Sequence, residues 1–313
     1  MTRRGVLLVL ASVAVLCGAA LVGPSLDGPR GAFIFWSLRV PRVLVGALVG
    51  GTLGLTGAVF QAIFVNPLAT PSTVGTTAGA TLGALAALVL GASAVGGLPV
   101  VVAAAFAGAL AASAVVSVVA ARGSARIHDV LLVGIAVTLA AGALSTGLQY
   151  TADMSALFAS AQWSLGHLPQ VGYRGVLLMA PFVVISTGTL LSLARELAAL
   201  VAGEELAQAQ GVDVRRTRTL ALGLGSLGVA ACVAWCGPIA FVGLLVPHLV
   251  RLLVGATERV LLPLSLVVGA AFLVGCDALA RVALPGRDLP VGVVTAALGA
   301  PALIVLIARA RRT

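Results

Sequence analysis

Long apolar runs, broken at Arg, Pro and Gly, make up most of this chain. They lie at Val6 to Val22, Val43 to Phe64, Val74 to Leu90, Leu98 to Ala120 and Val130 to Tyr150, then at Gly175 to Leu193, Thr219 to Trp235, Ile239 to Val254, Leu261 to Ala280 and Val291 to Ala308. A helix of ~20 apolar residues crosses the hydrocarbon core with every backbone group bonded internally, which few other structures achieve. The pattern predicts an all-α integral membrane protein, a bundle of about ten transmembrane helices forming one domain over residues 1–313. Several runs are short for a perpendicular helix, and Gly237-Pro238 fits either a tight hairpin or a break inside one longer helix. Arg3 and Arg4 ahead of the first run also fit a signal peptide, but no small-x-small cleavage site precedes a polar start, so the run is read as a helix.

Charge sets the expected orientation. An even number of crossings puts both termini on one side, and a cytoplasmic assignment places Arg3, Arg4, Arg122, Arg126, Arg195, Arg215, Arg216, Arg218, Arg251, Arg259, Arg309, Arg311 and Arg312 inside. Only Arg30, Arg39, Arg42, Arg174, Arg281 and Arg287 then lie outside, as the positive-inside rule demands.

Composition agrees with a lipid solvent: 60% of the 313 residues are hydrophobic and 9% charged, with a mean hydropathy of +1.15. The net charge of +9 comes from arginine alone, placed at segment ends, and does not suit a nucleic-acid partner, which would need a polar basic face. Cys17, Cys232, Cys236 and Cys276 sit in apolar runs without Cys-x-x-Cys spacing and read as small buried hydrophobes. Catalytic and metal-ligating residues are expected to be none: no nucleophile, base and ligand cluster, and His248 has no second ligand at metal spacing.

Gly46, Gly50 and Gly54 recur every fourth residue in the second run, and Gly75, Gly79 and Gly83 do so in the third. Either set is a close-packing face at the centre of the bundle or a moving hinge. Asp277 is the one carboxylate deep in an apolar run. An acid there is a candidate proton carrier, but Arg281 follows at helical spacing and can neutralise it as a structural ion pair.

Residues 194–218 hold the main charged segment, with Arg195, Glu196, Glu204, Glu205, Asp213, Arg215, Arg216 and Arg218. Within it Gly203 to Gly211 reads as a short helix of strong helix formers punctuated by glycine, either a docking surface or a solvated loop. Glu205, Ala207 and Gly211 nearly meet the Glu-Ala-Ala, three residues, Gly pattern of the coupling segment of ABC importer permeases, with Leu206 departing from it. Further blocks follow in order: Arg39-Val40-Pro41-Arg42; Gly57 to Ala62 with Asn66-Pro67-Leu68-Ala69-Thr70-Pro71; Gly203-Glu204-Glu205; Gly237 to Arg251; and Leu289 to Ala296 with Gly299-Ala300-Pro301. Together they resemble the permease family that imports ferric siderophores, haem and cobalamin, of FecCD type.

That resemblance implies the transmembrane permease subunit of a type II importer in the bacterial cytoplasmic membrane, an iron-siderophore carrier above all. Its partners would be cytoplasmic ABC ATPase subunits, an extracytoplasmic substrate-binding protein and a second permease copy, identical or related, with membrane lipid around them. No cofactor is expected in this chain. ATP and Mg would sit on the partner ATPase, since a phosphate-binding loop of the usual type needs a Lys and this chain has none. By the same resemblance Gly203, Glu204, Glu205, Ala207 and Gly211 couple to the ATPase, and Asn66, Leu68 and Ser124 form a cytoplasmic gate. Arg39, Arg42 and Arg281 would dock the binding protein, and Gln162, Trp163, His167 and Tyr173 would lie in an external gate. The competing class is a proton-coupled secondary transporter using Asp277.

Overall fold

The computed structural model describes residues 3–23, 31–91, 94–95, 98–121, 127–169, 172–255, 257–284 and 287–310. Thirteen helices are described: α1 (Arg3–Ala19), α2 (Gly31–Ile63), α3 (Thr76–Val89), α4 (Val100–Ala120), α5 (Ile127–Thr151), α6 (Met154–Ser164), α7 (Arg174–Ser192), α8 (Ala194–Ala202), α9 (Glu204–Ala209), α10 (Val214–Cys236), α11 (Val242–Val254), α12 (Glu258–Val282) and α13 (Val291–Ala310). The described strands are two-residue pieces, Ala94–Val95 paired antiparallel with Leu98–Pro99. Each apolar run read from the sequence coincides with one helix. Among the described residues α2, α4, α5, α7, α10 and α12 are long and apolar enough to cross a membrane, and α3, α11 and part of α13 are shorter apolar helices.

α2 is the axis of the bundle. Its first turns, Ile34–Arg39, are π-helical and end just before Pro41, whose missing N–H interrupts the regular ladder. From Val49 to Ile63 every residue is buried. The glycine faces serve close packing: a Cβ on Gly50 would lie 2.3 Å from the Gly269 carbonyl of α12, and one on Gly79 would lie 2.3 Å from the Gly108 carbonyl of α4. No atom could occupy those positions, so the backbones of α2 and α12, and of α3 and α4, touch.

Three boundaries differ from the hydropathy reading. The third helix begins at Thr76 rather than Val74, because Pro71–Val74 forms a 3₁₀ turn closed by Gly75 at φ +79°. The charged segment is two helices, α8 and α9, followed directly by α10. α8 escapes a hydropathy scan because it buries only Leu197, Ala199 and Leu200 and carries Arg195 and Glu196 in its first turn.

The eighth run is a helix only from Val242. Gly237 takes φ +70°, and the chain runs non-helically to Phe241 at φ +68°, a region costly for a side chain with a Cβ. The Gly237-Pro238 boundary is thus a break followed by a half-length helix.

Candidate functional site

Functional side chains gather at the two ends of α2. At its N-terminal end Arg42 donates from Nε to Asp277 Oδ1 at 3.0 Å and from Nη1 to Asp288 Oδ2 at 2.6 Å. Arg281 Nε lies 3.2 Å from Asp277 Oδ2 across one helical turn. Its two terminal nitrogens donate to the carbonyls of Ala19 and Val22, each at 2.8 Å. Arg39 donates to the carbonyls of Ala20 and Leu21 at 3.4 Å. Two guanidinium groups therefore cap the C-terminal end of α1, where unpaired carbonyls carry partial negative charge.

The Asp277–Arg281 pair is present as the spacing predicts, and Arg42 is a second, unforeseen partner of the same carboxylate. Asp277 is 1% exposed and Arg42 7%, whereas Asp288 is 48% exposed. Arg39, Arg42 and Arg281, the residues named for docking a binding protein, all have their side chains buried in bonds within the chain.

The loop after α6 closes this end. Trp163 is buried, and His167 donates its backbone N–H to the Cys236 carbonyl at 2.8 Å, fastening the loop to the break after α10. Gly166 at φ +67° permits that approach, since a Cβ there would lie 2.3 Å from the Pro238 carbonyl. Partial burial, then the nearby Arg42 guanidinium, holds His167 below the ordinary imidazole pKa. Gln162 is exposed on α6, and Tyr173 stands 41% exposed before α7.

At the other end of α2, Asn66 Oδ1 accepts from the Leu68 N–H at 2.9 Å, an Asx turn that follows the helix end and carries Leu68 outward. Leu68 is 56% exposed and lines a cavity of 670 Å³. That cavity runs along α2 past the broken segment Pro238 to Phe241 and reaches Gly292 of α13 at the opposite end. Its walls are chiefly apolar, and its volume falls within the usual range for small-molecule sites. Ser124, the third proposed gate residue, lies outside the described residues.

α8 and α9 sit at this same end. Gly203 at φ +133° and Gly211 at φ +79° bracket α9, whose single buried residue is Ala207. Glu204 pairs with Arg218 of α10 at 2.8 Å, while Glu205 and Leu206 are exposed. The coupling residues named from the sequence thus form one projecting unit. Sequence reasoning missed a neighbouring cluster, Gln61, Arg251 and Glu258, because its members lie on three helices; Gln61 stood inside a recognised block with no role attached. Among the described residues no group of three or more His, Cys, Asp or Glu is placed to hold a metal.

A multi-helix membrane protein with a central glycine-packed helix, a broken helix beside a lengthwise cavity and a projecting acidic helix pair defines the class, and the chain belongs to the FecCD transport family, which matches residues 5–309. It is 42% identical over 205 residues to a cobalamin import system permease protein of Halobacterium salinarum, covering 65% of this chain and 55% of that protein. It is 38% identical over 208 residues to a hemin transport system permease protein of Yersinia pestis, covering 66% of this chain and 62% of that one. The matched region thus spans between half and two thirds of those relatives. A solved chain of metal-chelate ABC transporter type, in an inward-facing conformation, superposes with a TM-score of 0.87 at 30% identity, covering 96% of this chain and 98% of that chain.

Proposed function

We propose that this chain is the permease subunit of an ATP-binding-cassette importer that moves a metal chelate of the ferric siderophore, haem or cobalamin class across the bacterial cytoplasmic membrane. The observation that carries the reading is α9. It is held to the bundle by Ala207 and the Glu204–Arg218 pair, and offers Glu205 and Leu206 to a partner at the end where Leu68 flanks the cavity. In this reading the chain crosses the membrane ten times as one domain, with both termini in the cytoplasm. Residues 194–218 couple to an ATPase subunit, and Asn66 and Leu68 gate the path on that side.

A second permease copy faces the cavity, so that the path lies between two chains, and alternating access follows from rocking one copy against the other. A substrate-binding protein docks at the end ringed by arginine, where Arg42 is the residue best able to exchange a counter-ion, because Asp288 is half exposed. A proton-driven carrier is the weaker reading: Asp277 already faces guanidinium groups at 2.9 and 3.2 Å, which balance its charge within the protein. Ferric siderophores are the favoured cargo.

The test is uptake of radiolabelled ferric siderophores, haem and cobalamin in a deletion strain of the native host. Wild type should restore one cargo and Glu205→Arg should not. Equal restoration by both would remove the coupling role of α9.

A further inference from the structure

The geometry points to Gln61, Arg251 and Glu258 as the element that transmits movement of the coupling helices to the cavity wall. This inference rests on the permease reading above. Gln61 is buried in α2, two residues before the helix ends at Ile63, and bonds α11 at two levels. Its Nε2 donates to the carbonyls of Gly243 and Leu244 at 3.4 Å, in the first turn after the broken segment, and its Oε1 accepts from Arg251 Nη1 two turns further on. A single side chain thereby splints the short helix α11 along most of its length. Close contact reinforces the splint, since a Cβ on Gly57 would lie 1.9 Å from the Gly243 carbonyl.

The chain of contacts continues in both directions. Gln61 accepts through its backbone carbonyl from the Asn66 N–H at 3.1 Å, which ties it to the turn that carries Leu68. Arg251 Nη2 lies 3.7 Å from Glu258 Oε1, at the first turn of α12. Gln61, Arg251 and Glu258 line one 490 Å³ pocket together with Val201 of α8. α8 thus faces Glu258 and Arg251 across this pocket, and a displacement of α8 changes the space that they line. Through Gln61 it reaches Gly243 and Leu244, just after the broken segment, and the turn that carries Leu68, and these three residues line the larger cavity. The second carboxylate oxygen of Glu258, Oε2, has no hydrogen-bond partner, so this carboxylate has an acceptor to spare when α8 shifts. None of the three residues needs to touch the cargo: they are positioning residues, and their effect is on coupling rather than on affinity.

The experiment uses the complete transporter in proteoliposomes, with ATPase subunits and binding protein, and reads ATP hydrolysed per chelate imported. Gln61→Met keeps the volume and removes all three side-chain bonds. The expected result is a rise of about fivefold or more in ATP used per chelate, with basal ATP hydrolysis near wild type. Arg251→Lys, which keeps a donor within reach of Gln61, should recover much of the ratio relative to Arg251→Met.

A proportional fall of uptake and hydrolysis in Gln61→Met, or an unchanged ratio, would overturn the inference. Should Gln61→Met not assemble, Glu258→Gln decides it by the same ratio, because it leaves the Gln61–Arg251 bond in place while removing the carboxylate charge that faces Arg251. A wild-type complex without ATP-driven uptake would instead overturn the permease reading itself, so the two failures are distinguishable.

Discussion

At the scale of single residues, Asp277 is a charge held deep inside α12. It is buried, and guanidinium groups from two helices converge on it, Arg42 and Arg281. Removing one member of a buried ion cluster costs up to roughly 3–5 kcal/mol, and here Arg42 would keep Asp288 and Arg281 the carbonyls of Ala19 and Val22. Asp277→Asn should therefore lower the thermal unfolding midpoint in detergent sharply, and Asp277→Asn combined with Arg42→Met should recover part of the loss. A midpoint unchanged by Asp277→Asn would contradict the clasp. His167 supplies a pH effect of fixed sign. Its folded pKa is depressed, so the unfolded chain binds more protons in the window between the two values. Stability is complete above about pH 6.5, the unfolded imidazole value, and falls as the pH drops through that window. The slope of melting midpoint against pH below about 6.5 should be smaller in His167→Gln than in wild type.

At the scale of elements, the helices are fixed by backbone contacts between small residues. Gly57→Ala would drive a methyl group into the Gly243 carbonyl, whereas Gly142→Ala meets nothing within 4 Å. The first should destabilise by about 1–3 kcal/mol or more, and the second should change stability by no more than about 1 kcal/mol. Melting midpoints of the two purified variants check this. Helix positions were legible in the sequence because bilayer thickness converts directly into a run length. Gly237-Pro238 marked an interruption as either a hairpin or a break, but its extent to Phe241 was not legible, since Ile239, Ala240 and Phe241 are as apolar as the helices around them and hydropathy is blind to backbone conformation. α8 was hidden for the opposite reason, its charges reading as loop. The Arg42–Asp277 bond joins residues 235 positions apart, beyond any local pattern, so sequence showed the right residues at that end without their partners.

At the scale of the whole molecule, α2 connects the two ends that matter. Its first turns hold the arginine clasp, and its last hold Gln61 and the Asn66 turn. The lengthwise cavity runs beside it, walled in part by a stretch of chain that is not helical. Non-helical backbone at membrane depth is tolerated where it is covered by protein or lines a water-filled path, which fits a conduit better than a closed bundle. Glu205, exposed on α9, lies at the Leu68 end of that cavity, where in the proposed reading a force-generating partner would act. The most direct test of this account is chelate uptake into proteoliposomes holding the permease, its ATPase subunits and its binding protein, driven either by ATP or by a proton gradient alone. Uptake that requires ATP, ignores the gradient and is lost in Glu205→Arg is the predicted result; uptake driven by the gradient without ATP would contradict it.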